Sequence, residues 1–258
     1  MTGIKEAIFP MAGLGTRLFP MTKTSPKELL TLMNKPLLHY AVEEALNSGI
    51  EKFIFIIRKE KGPHQTYFQK LKGLVSSQNI HYVYQETPLG LGHAIACAKD
   101  YIKNEFFAVL LPDEFISSQT PCLQQMLEVH AVKQANILAV QTVLQEEIPQ
   151  YGIVDVEKTP LSSILKLKDL VEKPSLEKAP TSLAIIGRYI LSSRVFSYLE
   201  RQQPGAKGEI QLTDSLRALL KEEPLYCLEF EGQRFDCGSK KGYLTATLRL
   251  SSEKQEVK

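Results

Sequence analysis

The chain has no run of apolar residues near the roughly 20 that a membrane-spanning helix needs. It has no basic segment followed by a cleavable apolar one at its start, where Ile4-Lys5-Glu6-Ala7-Ile8-Phe9 leads directly into a strand-like pattern. Both absences make the cytoplasm the expected location and remove the membrane as a partner. An excess of one charge is missing too: 31 Lys and Arg stand against 29 Asp and Glu, for a formal net charge of +2, with no long basic block. Nucleic acid is therefore not an expected partner. The four cysteines (Cys97, Cys122, Cys227, Cys237) form no C-x-x-C pair, and the five histidines show no metal spacing. Each cysteine lies in an apolar or partly apolar run, so buried free thiols are expected. Internal repeats, low-complexity tracts and Ser/His/Asp or Cys/His groupings are also lacking.

What is present is an ordinary globular composition, 43% hydrophobic and 23% charged over 258 residues. That is enough for one large domain with a sizeable core. Strand patterns occur at Ala7–Met11, Phe53–Ile57, Ile80–Tyr84, Phe107–Leu111 and Ile137–Val143, and helical spacing at Pro36–Asn47, His64–Val75, Leu91–Ile102 and Cys122–Lys133. Phe53 to Ile57 is continuously apolar, as in a strand covered on both faces. The alternation predicts an α/β fold: a doubly wound, mostly parallel, Rossmann-like sheet with helices on both faces. In such a sheet ligands sit beyond the carboxyl ends of the strands. From about residue 151 the rhythm changes to strands at Tyr151–Val156, Ile164–Val171 and Leu183–Ile190, predicting a smaller β region. Helices follow at Arg194–Glu200, Leu212–Leu220 and Gly242–Leu250, with Thr213 or Asp214 as a candidate cap of the second.

The first strand ends in Ala12-Gly13-Leu14-Gly15-Thr16-Arg17. Glycines there let backbone amides approach an anion. The dinucleotide fingerprint needs a third glycine where Leu18 stands, and the Walker Gly-Lys-Ser/Thr is absent. Arg17, Lys23 and Lys27 follow in a segment that Pro20 and Pro26 keep from forming a regular helix. Three cations after a glycine turn suit a polyphosphate; an ordinary strand-to-helix turn with solvated cations is the alternative. Gln85 ends a strand, where its amide offers donor and acceptor side by side, or merely meets solvent. Asp113 follows an apolar strand directly, and Asp236 lies between Phe235 and Cys237-Gly238; either could be a turn residue. Glu172-Lys173 precedes Pro174 at a strand end and would ordinarily be a solvated pair. Gly152 could be a bulge glycine. Arg188 is read as a structural ion-pair residue.

Further blocks join these: Ser25-Pro26-Lys27-Glu28, Pro88-Leu89-Gly90-Leu91-Gly92-His93-Ala94, Tyr151-Gly152-Ile153-Val154-Asp155, Val171-Glu172-Lys173-Pro174, Gly208-Glu209-Ile210-Gln211-Leu212-Thr213-Asp214 and Phe235-Asp236-Cys237-Gly238. In this order, and across nearly the whole chain, they resemble the bacterial UTP–glucose-1-phosphate uridylyltransferases. The resemblance implies an enzyme that forms UDP-glucose and pyrophosphate from UTP and glucose 1-phosphate by Mg²⁺-dependent in-line displacement. It implies nucleotide contacts from Ala12, Gly13, Leu14, Gly15, Gln85, Pro88 and Gly90, and catalytic roles for Arg17, Lys27 and Lys173. Gly152, Glu172, Lys173 and Glu209 would meet the sugar phosphate, and Asp113 and Asp236 would hold Mg²⁺. Residues 1–258 would form a single domain, about 1–150 serving the nucleotide and about 151–250, with the C-terminal helix, the sugar phosphate. A homo-oligomer is compatible with the family, but two departures prevent its transfer: the Arg58–Asn79 connection is short, and the chain ends soon after Tyr243. Glu114 adds a carboxylate beside Asp113 that either biases metal binding or faces solvent. The rival readings are the same chemistry with dTTP, since thymine shares the imide edge, and a non-catalytic sugar-nucleotide-binding regulator. A nicotinamide-dependent dehydrogenase is opposed by Leu18.

Overall fold

A computed structural model describes residues 3–58, 68, 71, 74–161, 163–203, 205 and 208–253. The chain runs β1 (Glu6–Pro10), β2 (Thr31–Leu32), β3 (Lys35–Pro36), α1 (Leu37–Asn47), β4 (Lys52–Ile57), β5 (Ile80–Tyr84), α2 (Leu91–Ala96), β6 (Phe106–Leu110), β7 (Glu114–Ser117), α3 (Cys122–Lys133) and β8 (Asn136–Thr142). It continues with β9 (Gly152–Lys158), β10 (Ile164–Glu172), β11 (Leu183–Ser192), α4 (Val195–Arg201), α5 (Leu212–Leu219), β12 (Leu225–Glu229), β13 (Gln233–Asp236) and α6 (Lys240–Glu253). Most of the helix expected at His64–Val75, and of the Arg58–Asn79 connection, lies outside the described residues. The helix expected to reach Ile102 stops at Ala96 and gives way to a 3₁₀ turn at Lys99–Tyr101.

The α/β class is as expected, but the sheet is not mostly parallel. Among the described residues nine strands form one sheet in the order β5-β4-β1-β6-β11-β8-β12-β10-β9. β1, β4, β5 and β6 are mutually parallel, as is the β8–β12 pair. β11 inserts antiparallel between β6 and β8, and β10 is antiparallel to both its neighbours. The physical reason is that a continuous apolar run reports burial on both faces and says nothing about strand direction. β11, LAIIGRYILS, is buried along its entire length, and long-range pairing fixed its direction. At the far edge, β9 also touches β11 through Ile153 and Ala184, so the last strands curl back over the sheet.

Strand alternation supplies the two covered faces. Ala7 and Phe9 of β1 pack with Leu38 and Val42 of α1 and Met126 of α3. Ile8, between them, joins Ile95 of α2, Phe196 of α4 and Leu216 of α5 on the other face. α1 ends in a left-handed Gly49, with Ile50 N–H bonded to Ala45 O and Gly49 N–H to Leu46 O, the double-bond stop that glycine permits. A third, smaller apolar cluster (Leu32, Leu37, Phe115, Phe235, Cys237, Ala246) lies beside a ribbon formed by β7 and β13. Nothing in the sequence pattern marks these two short strands. Their register sets Asp236 opposite Glu114, and so delivers Asp236 to the carboxyl end of β6.

Candidate active site

The segment after β1 folds into three 3₁₀ turns, at Thr16–Leu18, Met21–Lys23 and Lys27–Leu29. Gly15 is left-handed, and a Cβ on it would sit 3.1 Å from Thr22 and 3.3 Å from Lys27. Thr22 also donates to Gly15 O at 2.8 Å. This glycine therefore lets the loop close on itself and returns Lys27 to Gly13, whose ideal Cβ would be 3.6 Å from Lys27 Nζ. Ala12, Gly13, Arg17 and Lys27 line a cleft of about 400 Å³. Leu14, Gly15 and Pro88 do not line it, and Leu14 and Lys23 are exposed.

Asp113, one loop beyond β6, reaches the same cleft and is buried. Its Oδ2 accepts from Lys27 Nζ at 2.5 Å. Burial opposes ionisation of both groups, but their mutual attraction wins, lowering Asp113 and raising Lys27 from their ordinary values. Asp236 Oδ2 accepts from Arg17 Nη1 at 3.2 Å and from Tyr151 Oη at 3.0 Å. A Cβ on Gly238 would lie 2.6 Å from Asp113 Oδ2, 2.8 Å from Arg17 Nη2 and 3.0 Å from Asp236 Oδ1. The two carboxylates thus converge on a space kept open by a glycine, with two cations beside them. Among the described residues no group of three His, Cys, Asp or Glu side chains could hold a metal. A pair of carboxylates at an open cradle nevertheless fits a hard divalent cation whose other ligands are phosphate oxygens and water.

Gln85 is buried in the cleft wall. Its Nε2 donates to Gly90 O at 3.1 Å and meets His93 Nδ1 at 2.9 Å. Both amide hydrogens are thereby committed, and Oε1 remains as an acceptor. Gly90 is left-handed, and a side chain there would come within 2.9 Å of Glu209 Cβ. The backbone bonds Ile210 N–H to Leu89 O and Gly92 N–H to Ile210 O dock the Glu209 segment here, which places Glu209 in the cleft.

β10 ends at Glu172, and Lys173 follows with φ +45°. Lys173 Nζ contacts Glu172 Oε1 at 2.6 Å, while Thr213 Oγ1 donates to Glu172 Oε2 at 2.6 Å. A Cβ on Gly152 would stand 3.0 Å from that threonine oxygen and 3.3 Å from Glu172 Oε2, so glycine leaves the pair open to the cleft. Thr213 is therefore no cap: α5 begins after Gln211, with no side-chain cap. Glu114 neither faces solvent nor offers a free ligand, because Arg234 grips both its oxygens at 2.6 and 2.8 Å. Arg188 is the structural ion-pair residue expected, bound to Glu44 at 2.8 Å. The cysteines are free, and burial with acidic neighbours pushes the Cys237 thiol up, away from nucleophilic use. The sequence pattern does not mark Tyr151, His93 or Arg234 as functional, and it offers Thr213 only as a helix cap; Tyr151 adjoins Gly152 and His93 adjoins Gly92, so their blocks carry a signal that their chemistry alone does not.

The structure thus gathers Ala12, Gly13, Arg17, Lys27, Gln85 and Gly90 from the first half with Gly152, Glu172, Lys173 and Glu209 from the second, Asp113 lying in the same cleft and Asp236 just beyond Arg17. Over residues 7–253 the chain matches the family model described as nucleotidyl transferase. It is 39% identical to a UTP–glucose-1-phosphate uridylyltransferase of Bacillus subtilis (strain 168), across 100% of this chain and 94% of the relative. A solved UDP-glucose pyrophosphorylase complexed with UDP-glucose matches with a TM-score of 0.89 at 40% identity, covering 97% of this chain and 99% of that one. A UTP-bound UGPase from Acinetobacter baumannii matches with a TM-score of 0.84 at 35% identity, covering 97% and 94%. No helix among the described residues is long and apolar enough to cross a membrane.

Proposed function

This chain belongs to the nucleotidyl transferase family, and we propose that it forms UDP-glucose and pyrophosphate from UTP and glucose 1-phosphate. The observation that carries this reading is the convergence of Asp113, Asp236, Lys27 and Arg17 around Gly238, at the junction of a base-reading glutamine and a Glu-Lys pair. Asp113 and Asp236 would hold Mg²⁺, which supplies positive charge to phosphate oxygens. The residues of the chain do the rest by positioning and charge. The first half, about 1–150, takes UTP: Gln85 Oε1 accepts from the imide N3–H of uracil. Lys27 and Arg17 exchange their carboxylate partners for oxygens of the departing pyrophosphate. Negative charge grows there as the α–β bond breaks, so these cations favour the transition state over the ground state.

The second half, about 151–250, takes glucose 1-phosphate. Glu172 accepts from sugar hydroxyls beside Gly152 and Glu209. Lys173, released from Glu172, offsets the charge of a phosphate that must approach an anionic triphosphate. That phosphate is already a nucleophile, so no general base is required, and in-line attack on the α-phosphorus follows from alignment. Cytoplasmic location belongs to the same reading, as does Mg²⁺ as the cation.

The test is a panel of UTP, dTTP and CTP against several sugar 1-phosphates with Mg²⁺, scored by pyrophosphate release. UTP with glucose 1-phosphate is expected to give the highest kcat/KM. A higher value for dTTP moves the enzyme to the thymidylyl reaction, and no release from any pair overturns the catalytic reading.

A further inference from the structure

A chain of four side chains runs behind the two carboxylates. Arg234 is almost fully buried and clasps Glu114 through Nε at 2.6 Å and Nη2 at 2.8 Å. The same Nη2 lies 2.8 Å from Tyr151 Oη, and the guanidinium carbon stands 4.7 Å from the Tyr151 ring centre. Tyr151 Oη lies 3.0 Å from Asp236 Oδ2. The direction of these bonds is forced. A guanidinium only donates and an ionised carboxylate only accepts, so the phenol must accept from Arg234 and donate its single hydrogen to Asp236.

One end of this chain is Asp236 of the proposed metal pair, and the other is Glu114, next in sequence to Asp113. Glu114 faces Asp236 across the β7–β13 ribbon. Gly187, with φ +30°, leaves the room for this: a Cβ there would lie 2.7 Å from Glu114 Cγ. The other Asp236 oxygen, Oδ1, accepts from Gly238 N–H at 3.0 Å. Arg17 also touches Oδ2, but its side chain is 53% exposed and long, and it is needed for the triphosphate. The fixed side-chain support of Asp236 Oδ2 is therefore Tyr151.

We propose that Tyr151 and Arg234 are positioning residues that orient Asp236 for the divalent cation, with Glu114 anchoring Arg234 so that one buried ion pair sets the spacing of Asp113 and Asp236. The inference rests on the reading of those two aspartates as the metal pair. Supporting partners behind a ligating carboxylate govern metal affinity and not only fold stability.

The test measures Mn²⁺ affinity of the protein–UTP complex by electron paramagnetic resonance, alongside thermal melting, for Asp236→Asn, Tyr151→Phe, Arg234→Lys and Glu6→Gln. Asp236→Asn is expected to abolish protein-bound Mn²⁺, and Tyr151→Phe and Arg234→Lys to weaken it about ten- to hundredfold. Glu6→Gln lowers the melting temperature from a site on the opposite end of β1 and should leave Mn²⁺ affinity unchanged. Turnover of Tyr151→Phe should also recover as the metal concentration is raised. If Asp236→Asn loses Mn²⁺ while Tyr151→Phe, still folded, binds it as the parent does, the positioning role is wrong. If Asp236→Asn itself retains Mn²⁺, the metal pair is wrong and the inference falls with it.

Discussion

Arg188–Glu44 is a buried ion pair and Lys27–Asp113 a partly buried one, and they differ in how completely their hydrogen-bonding capacity is used. Arg188 is 1% exposed. Its Nε and Nη2 fork onto Glu44, Nη1 donates to Leu111 O and Gly187 O, and Nη2 also reaches Glu114 O. Glu44 in turn accepts from Leu123 N–H. All five donors are used, and the pair ties α1, α3, β11 and the β6–β7 turn together. Lys27 has three hydrogens and, among the described residues, one acceptor, Asp113. Its remaining capacity points into the cleft. The saturated pair is scaffold, and in the proposed function the unsaturated one receives the triphosphate. A buried charge is worth its desolvation cost in a fold only when every hydrogen finds a partner, whereas a catalytic charge must keep some of its capacity unspent for the transition state.

The largest effects should separate these pairs cleanly. Lys27→Ala is expected to lower turnover about 10²- to 10³-fold, the scale of losing one preorganised charge at developing negative charge. Its melting temperature should shift little, because water entering the cleft can solvate Asp113. Arg188→Ala strands Glu44 without a partner and should cost about 3–5 kcal/mol of stability, seen as a melting temperature lower by roughly 10 °C. Thermal melting with steady-state kinetics on both variants checks this. A Lys27→Ala protein that melts as low as Arg188→Ala and keeps its turnover would break the distinction.

Part of that distinction is legible in the sequence. Arg188 sits inside Ile185-Ile186-Gly187-Arg188-Tyr189-Ile190, where a lone charge in an apolar strand must find a partner. Arg17 and Lys27 stand in a proline-broken polar turn, which is how a ligand-facing cation is carried. The strands that end at Pro10, Tyr84 and Leu110 follow from apolar runs, and the site loops follow from their ends. Strand direction does not: β11 reads like its parallel neighbours and runs the other way. Nor does the β7–β13 ribbon, four residues in each strand, whose existence depends on pairing across more than 110 residues. The partners of Glu114, Asp236 and Glu172 were invisible for the same reason, since Arg234, Tyr151 and Thr213 are remote in sequence and ordinary in type.

Lys173–Glu172 is the corresponding ion pair in the second half of the chain. The contact is 2.6 Å long, but Lys173 is 40% exposed and has this one ion-pair partner among the described residues. It should behave as a second unsaturated pair. Lys173→Ala is expected to raise KM for glucose 1-phosphate by about 10- to 100-fold, the loss of one hydrogen bond to a charged phosphate. KM for UTP should change far less, so initial rates with each substrate varied in turn decide it. Equal losses for both substrates would show that the division of the cleft is wrong.

Gln85 is a neutral group with the same partly used capacity. With Nε2 committed to Gly90 O and His93 Nδ1, Gln85 keeps only an acceptor for the base in the proposed function, and cytosine presents an acceptor at N3 where uracil presents a hydrogen. UTP should therefore be strongly preferred to CTP. His93→Ala frees the amide to turn and should reduce the kcat/KM ratio of UTP to CTP about tenfold, one hydrogen bond's worth. An unchanged ratio would mean that His93 does not hold the amide.

The smallest effect belongs to a saturated carboxylate at the other end of β1. Glu6 is buried and accepts from Lys103 N–H and Asn104 N–H at 2.9 Å each and from Lys52 Nζ at 3.1 Å. Burial alone would raise its pKa, but the Asn104 and Lys103 amides and the Lys52 ammonium outweigh it and hold Glu6 below its ordinary 4.5. A carboxyl that binds its proton less readily when folded stabilises the fold above the ordinary glutamate range. That contribution fades as the pH falls through the depressed folded value. Glu6→Gln should cost about 1–2 kcal/mol near pH 7 while leaving kcat and both KM values unchanged. The stability difference between parent and variant should shrink on acidification below about pH 4.5, as the unfolded glutamate takes up its proton. Urea unfolding from pH 7 to pH 3 measures it. A difference that stays constant or widens toward acid would remove Glu6 from the scaffold class, because the amides and Lys52 would then not be holding a charge.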